Sequence, residues 1–550
     1  MKHFKTLRQP INIVFLIQVV VVFLVAFGVW PRVLILPLTA LIAIFILRAD
    51  LETSTAFFIR SVPIFVAIPF TSYFDSFNIW RIASGLIFLK WFYTNQRSSG
   101  NSFVSAVEQN YVPRGLMGKI RKYPLASLLI LFILFSLLSL LVANDFFAGI
   151  KRIIYLINLG FVPLVTYDLV KKNHELAKKF LGNVLISGVI VAGAGLAQLF
   201  TAYLMDLYAF LGFWGDTVQL GFYGSQWARI AVEGNTWFAY FGTQLSLRLF
   251  STFTDSHSFP VYLLMTIPAL LALALHKVFT QTDQRPRGDV HRLSAPQQTS
   301  SRDFKKLIHI RASWLILLLP VFYLLAILSG TRGIWLAILG SLLALPFLIK
   351  KTKQVEGKNI LKYLGLLLLP FLILFSVAFP IMGSDQFGLQ KGDNQILGRR
   401  IRSIIDLEET SNSGRVEIWK KTAESIIHRP LLGVGIGNFP TVLSQHTDLA
   451  KAGSSAHNLY LHIAAEIGLI GLLVALGILT IILSRARTVF WQIPDSFLKI
   501  YSAAFILYSL WFLFYSLTDA ILFDERVFLV FAINSAIILG LYKTKSAVAD

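Results

Sequence analysis

The chain has no cysteine and only 5 methionines in 550 residues. Without a thiol it forms no disulfide, offers no thiolate to a metal and performs no thiol chemistry. Charge is scarce as well, at 14% Asp, Glu, Lys and Arg, against roughly 25% in soluble domains. Acidic residues are the rarer sign, 29 against 50 Lys and Arg, which leaves a net charge of +21. In a soluble chain that imbalance would point to nucleic acid. Here 55% of the residues are hydrophobic and the mean hydropathy is +0.67. Apolar runs of about 17 to 27 residues recur along the whole length, each long enough to cross about 30 Å of hydrocarbon as a helix. A soluble nucleic-acid binder, a disordered chain and a disulfide scaffold are all excluded, and an all-α polytopic membrane protein is predicted.

About fourteen spans are expected, over 12–29, 32–48, 55–72, 79–95, 124–143, 151–169, 179–203, 257–276, 312–330, 333–349, 362–382, 457–483, 497–518 and 523–542. The first follows a basic start. It is too long for a signal peptide, no small-residue cleavage site follows it, and it reads as an uncleaved helix. Gaps after odd-numbered spans hold few basic residues, whereas gaps after even-numbered spans are rich in Lys and Arg. By the positive-inside rule both termini lie in the cytoplasm, and most of the net charge is orientation signal. Two long gaps then face outside, 204–256 with its 13 aromatic residues and 383–456. Three regions are expected: an N-terminal four-span region over 1–123, a catalytic membrane domain over 124–483 and a C-terminal two-span region over 484–550. The cytoplasmic gap 277–311, rich in Gln, Ser, Pro and Arg, reads as a loop.

Chemistry on the outer face rests on few residues. Arg248 precedes span eight, and Arg332 sits in the tight turn Ser329-Gly330-Thr331-Arg332-Gly333. Either could snorkel to headgroups. Ser413-Gly414-Arg415-Val416-Glu417-Ile418-Trp419 opens an amphipathic helix that Ser413 would cap. Arg415 in its first turn opposes the helix dipole, and a local anion would account for it. Gly433-Val434-Gly435-Ile436-Gly437 looks superficially like a nucleotide-binding run. It lacks the strand-turn-helix setting and reads as a tight turn. His457 stands where the late loop re-enters the membrane, and a neutral histidine there can accept a proton. His462 and Glu466, four apart on one helix face, are placed to pair. Three guanidiniums can grip a diphosphate through bidentate forks, and a neutral histidine beside them can deprotonate a hydroxyl. That set suits displacement of a diphosphate by an alcohol. Outside the cell, where nucleotide sugars are lacking, the simplest donor is a lipid diphosphate.

At these residues the sequence resembles the O-antigen ligase and O-antigen polymerase superfamily of bacterial inner-membrane glycosyltransferases. The pattern is Arg248, Ser329 to Gly333, Gly414 to Trp419, His428 to Phe439 and His457 to Gly471. One departure is Thr254-Asp255-Ser256-His257, where family members often carry an Asn-Pro-Asn-like segment. The resemblance implies inverting, metal-independent transfer of a glycan from undecaprenyl diphosphate at the periplasmic face, without a cofactor. Arg248, Arg332 and Arg415 would hold the diphosphate, with Arg332 and His457 as catalytic residues and His457 acting on the acceptor hydroxyl. Trp419, Asn458, Tyr460 and Glu466 would support them, and the aromatics of 204–256 would stack on sugars, line a lipid entry or form an interfacial belt. The expected partners are the lipid-linked donor, a lipid or glycan acceptor, membrane lipids and flippase or chain-length proteins, with no nucleic acid. The alternatives are a lipid-oligosaccharide flippase or transporter, with Arg60, Arg81 and Lys90 lining a charged lumen, and a peptidoglycan-type polymerase.

Overall fold

A computed structural model describes residues 9–70, 77–98, 123–234, 236–241, 244–282, 314–389, 410–445 and 455–542. Most of the expected loop 277–311, and the stretches 390–409 and 446–454 of the late gap, lie outside the described residues. Each of the fourteen expected runs overlaps helix, the run 55–72 only over its first part. Eight helical stretches are long and apolar enough to cross a membrane among the described residues, and two shorter apolar helices accompany them.

The helices are α1 (Pro10–Ala26), α2 (Ile35–Arg48), α3 (Leu51–Ser61), α4 (Ile79–Ser98), α5 (Pro124–Leu138), α6 (Phe146–Lys172), α7 (Glu175–Leu204) and α8 (Ser258–Thr282). After them come α9 (Leu318–Leu328), α10 (Arg332–Lys351), α11 (Val355–Leu366), α12 (Thr410–His428), α13 (Leu459–Gln492), α14 (Ser496–Tyr515) and α15 (Glu525–Leu541). Sequence dictates several ends directly. Asp50, Asp145, Asn458, Asp495 and Asp524 each accept hydrogen bonds from first-turn amides, as N-caps do. The run 55–72 does not form one helix, because Pro63 and Pro69 withhold amides and the chain turns extended after Ile64. There Phe65 gives its carbonyl to the Arg526 guanidinium, and the Ala67 amide donates to the Phe222 carbonyl.

Helices α8 and α14 form the centre of the bundle, with 94% and 83% of their apolar windows buried, whereas α5 is 17% buried and faces outward. Close approach at the centre needs small residues: a side chain at Gly188 of α7 would meet Thr266 of α8 at 2.5 Å. One buried apolar cluster runs from Ile11 to Leu541. A two-stranded antiparallel hairpin, β1 (Phe238–Phe241) and β2 (Gln244–Leu247), departs from the all-α expectation, with Phe238 opposite Leu247.

Helix α13 is broken at Gly468, whose φ is +78°. A helix break inside a membrane strands backbone groups that must find partners. The glycine run supplies them. The Val434 and Gly435 amides donate to the carbonyls of Ala465 and Glu466 at 2.8 and 3.0 Å, and the Leu469 amide donates to the Pro430 carbonyl at 2.8 Å. Gly433 lies at φ +65° with Ala465 O 2.2 Å from where a Cβ would stand. The run is therefore a tight packing turn, as its sequence context predicts.

Candidate functional site

Arg248 is placed by the hairpin. Its amide donates to the Trp237 carbonyl at 2.7 Å, continuing the ladder by one residue, and its Nε donates to the Ser329 carbonyl at 3.3 Å. The Arg332 turn is tied to the same place. Gly330 takes φ +66°, Thr331 Oγ1 donates to the Ser256 carbonyl at 2.9 Å, and the Leu249 amide reaches the Leu328 carbonyl at 3.2 Å. Thr331 thus uses its hydroxyl to join two loops and leaves the start of α10 without a side-chain cap. Arg332 opens that helix, and Gly333 beside it is obligatory: a Cβ there would fall 2.3 Å from Thr518 Oγ1 and 2.8 Å from the Tyr515 ring.

His457 is held from three sides. Trp419 of α12 donates its Nε1–H to the Ala456 carbonyl at 2.9 Å. Asn458 caps α13 with its carbonyl oxygen, while its Nδ2 donates to the Leu517 carbonyl at 3.0 Å. The Tyr460 hydroxyl donates to the Leu513 carbonyl at 2.9 Å, and the Leu459 amide to the Ser516 carbonyl at 2.9 Å. His457 itself sits at φ +46°, a left-handed conformation rare outside glycine and asparagine. His462 and Glu466 do pair, Nε2 to Oε1 at 3.3 Å, and both are buried. Their surroundings make them scaffold: His462 stacks on Phe439 with ring centres 4.4 Å apart, and Glu466 accepts from the Phe439 amide at 3.3 Å. Trp419, Asn458 and Tyr460 hold the segment around His457, and Glu466 reaches it only through His462, whose Nδ1 accepts from the Ala456 amide.

These segments converge on Asp519, which the sequence reading passed over. Its carboxylate is 93% buried. Oδ1 lies 3.8 Å from His457 Nδ1, Oδ2 lies 3.8 Å from His257 Nδ1, and the Tyr515 hydroxyl donates to Oδ2 at 3.0 Å. Burial raises the Asp519 pKa, but His257, His457 and Arg415 outweigh it and hold the carboxyl well below its ordinary range. His257 is buried beside Arg248, whose guanidinium lies 3.1 Å from its Nε2. Burial, opposed by Asp519 and reinforced by Arg248, Arg415 and His457, pushes its pKa down to about 3. A neutral His257 accepts from Arg248 through Nε2 and turns its Nδ1–H toward Asp519 and Asp255. Asp255 lies 3.9 Å from that nitrogen and caps α8 through the His257 and Ser258 amides, both at 2.8 Å. Burial raises its pKa, as does Asp519, against the hydrogen bonds that it accepts.

Arg332 and Arg415 lie near enough for their charge to reach Arg248. Burial draws the Arg248 pKa down to about 10, opposed by Tyr515 and assisted by the positive fields of Arg332 and Arg415. One small region thus holds three cations, two histidines and a buried carboxylate drawn from residues 248, 255–257, 332, 415, 457 and 515–519. Two expectations change. Helix α12 begins at Thr410, so Ser413 lies inside it and is not its cap, and Arg415 stands in the second turn. Trp214 and Trp237, buried to 4% and 1% exposure, pack against Phe250 and neither stack on sugars nor belong to an interfacial belt. Missed altogether were His257, Tyr515 and Asp519. The one available signal was a lone aspartate in the short gap between two apolar runs, a polar residue that the membrane face does not tolerate idly.

Among the described residues no group of His, Asp and Glu has the geometry of a metal site. Residues 315–476 match the O-antigen ligase family. The resemblance visible in the sequence holds over that stretch, which contains Arg332, Arg415 and His457 and excludes Arg248, His257 and Asp519. No curated protein matches the chain.

Proposed function

With residues 315–476 belonging to the O-antigen ligase family, we propose that the chain is a membrane glycosyltransferase. It moves a glycan from an undecaprenyl-diphosphate donor to an acceptor hydroxyl at the periplasmic face of a bacterial inner membrane. The observation that carries this reading is the geometry around Asp519, which lies 3.8 Å from both His457 and His257, with the Arg248 guanidinium 3.1 Å from His257. Arg248, Arg332 and Arg415 hold the diphosphate and stabilise the charge that grows on it as the sugar leaves, the effect of donors placed before the reaction begins. His457 presents Nδ1 to Asp519 at 3.8 Å. A carboxylate there favours the tautomer with the proton on Nδ1 and leaves the Nε2 lone pair for the acceptor. The hydroxyl oxygen attacks the anomeric carbon, the carbon–oxygen bond to the diphosphate breaks with inversion, and the proton passes to Nε2. Contacts of this kind are often long before substrate arrives and shorten in the complex. The chemistry is cationic side chains plus a base, and needs no metal.

The test is transfer in membranes carrying His457→Ala or Arg332→Ala. Both are expected to lose at least about 100-fold in rate, and full activity in both would remove the site. Transfer by the unmodified chain should persist in EDTA. Loss that Mg²⁺ restores would refute the metal-free route.

A further inference from the structure

Beside this region stands a second cationic group that the proposed chemistry does not use. Arg81 of α4 and Arg152 of α6 flank the ring of Tyr155, their guanidinium carbons 5.3 and 5.4 Å from its centre. Arg81 also lies over Trp80 at 5.5 Å, and Arg152 over Phe523 at 4.5 Å. Ring faces hold a guanidinium by its plane and leave its N–H edge unspent. Among the described residues neither arginine makes an ion pair or a side-chain hydrogen bond, and Arg81 Nε is buried without a partner. The charges of Glu525 and Glu466 reach Arg81 and Arg152 respectively, but the hydrogen bonds of the nearby carboxylates go to other groups. Asp524 accepts from the Arg526 and Val527 amides at 2.9 and 3.0 Å, and Glu525 accepts from Asn78 Nδ2 at 3.3 Å. Two forks are therefore fixed around one ring with their donors open, an arrangement that an anion relieves.

The place is joined to the reacting region by a short piece of chain. Phe523, under Arg152, follows Asp519 by four residues, so their Cα atoms lie at most about 14 Å apart. The Phe523 ring also lies 4.3 Å from His462, and the glycine run backs Arg152, since a Cβ on Gly437 would stand 3.4 Å from the Arg152 Cβ. The loop that orients His457 and the loop that carries Asp519 thus both border the pair. The geometry points to an acceptor subsite in which Arg81 and Arg152, held by the Tyr155 and Phe523 rings, bind an anionic group, phosphate or carboxylate, on the acceptor glycan. This rests on the glycosyltransferase reading above.

The experiment measures transfer in membranes with three probes: the acceptor glycan fraction, that fraction freed of phosphate with aqueous hydrogen fluoride, and that fraction with its carboxyl groups reduced. Arg81→Gln and Arg152→Gln are expected to raise the KM for untreated acceptor about tenfold or more, the scale of one lost charged hydrogen bond. The kcat and the donor KM stay within about twofold. For the unmodified chain one treatment raises the acceptor KM to the same degree, which tells phosphate from carboxylate, and the substitutions then add nothing further. An acceptor KM unmoved by both treatments overturns the proposal whatever the variants do. So does a KM raised equally for charged and neutral acceptors, or a change confined to the donor KM. Absence of any transfer by the unmodified chain would instead sink the glycosyltransferase reading.

Discussion

Replacing Asp519 by Asn keeps the shape of the side chain and deletes its charge. As His457 takes the acceptor proton it becomes a cation 3.8 Å from the Asp519 carboxylate. At an effective dielectric near 20 that attraction is worth about 4 kcal/mol, which corresponds to roughly a thousandfold in rate. Screening by Arg415 and by the Tyr515 hydroxyl lowers the figure, so a loss of 100- to 1000-fold in kcat is expected, on the order seen when a buried carboxylate behind a base is neutralised. Asp519 acts through His457 and does not touch the reacting atoms, so it is a positioning residue, and the decisive readout is coupling. Once Asp519→Asn is present, His457→Ala should cost much less than it does alone, because residues that act as a unit are not additive. Transfer rates in membranes and the thermal midpoint of the detergent-purified chain are measured for both single variants and the double variant. A kcat within about threefold in Asp519→Asn, or two losses that multiply as independent effects would, separates Asp519 from His457 and removes its positioning role.

Three further outcomes are expected. His257 has its pKa pushed down to about 3 in the folded chain, against about 6.5 when unfolded. The unfolded state therefore takes up the proton first, and stability falls as the pH drops from about 6.5 toward 3, by up to ~1.4 kcal/mol per pH unit. His257→Gln should flatten that acid limb of the thermal midpoint, and an unchanged limb would show that the imidazole is not held neutral. Gly433→Ala would place a Cβ 2.2 Å from the Ala465 carbonyl oxygen at φ +65°. With about 1–2 kcal/mol of left-handed strain and a further ~1–3 kcal/mol from the broken Val434 bond, the folded yield should drop sharply. A midpoint like that of the unmodified chain would mean that the kink of α13 does not need this turn. Arg415→Lys keeps the charge and loses the planar fork, so the donor KM should rise about tenfold with little change in thermal midpoint, and an unmoved donor KM would remove Arg415 from the diphosphate.

What the sequence disclosed and what it hid divide along a physical line. Apolar run length located the helices, because hydrocarbon thickness alone sets it. The Ser329–Gly333 turn was legible because its chemistry is local. The break after Ile64 was concealed by an apolar run that continues through Pro63 and Pro69, and only the Arg526 and Phe222 contacts show why the extended backbone is stable there. His257 and Asp519 were hidden for a different reason. Asp519 stands in a short gap and His257 at the end of a long one, neither with a periodicity of its own, and their partners lie far along the chain: 519 meets 457 and 257 only because α8, α13 and α14 pack side by side. Likewise the aromatics of 204–256 look alike in sequence, yet Trp237 stacks on Phe250 at 4.1 Å while Tyr208 is 83% exposed.

The competing reading, a lipid-oligosaccharide flippase, needs charges that are available within the membrane. Two of the three early-span cations, Arg60 and Lys90, are spoken for by the fold. Arg60 donates through Nε to Asn183 Oδ1 and through Nη1 to Asn12 Oδ1, both at 2.7 Å. Lys90 donates to the carbonyls of Ile46 and Leu47 at 2.8 and 3.1 Å and to that of Ala49, closing the C-terminal end of α2. Arg81 stands in the first turn of α4, on rings. A lumen would have to break these contacts and leave buried amide oxygens and helix-end carbonyls unpaired, at roughly 1–3 kcal/mol each. The charges of Arg332 and Arg415, by contrast, reach the buried Arg248, a concentration of cations that a bound anion favours. The two readings therefore part on one deletion. Removing residues 404–450 takes away Arg415 and the helix that positions His457, and transfer should vanish with it. Lipid-linked glycan translocation by reconstituted chain that survives this deletion would replace the enzyme with a flippase.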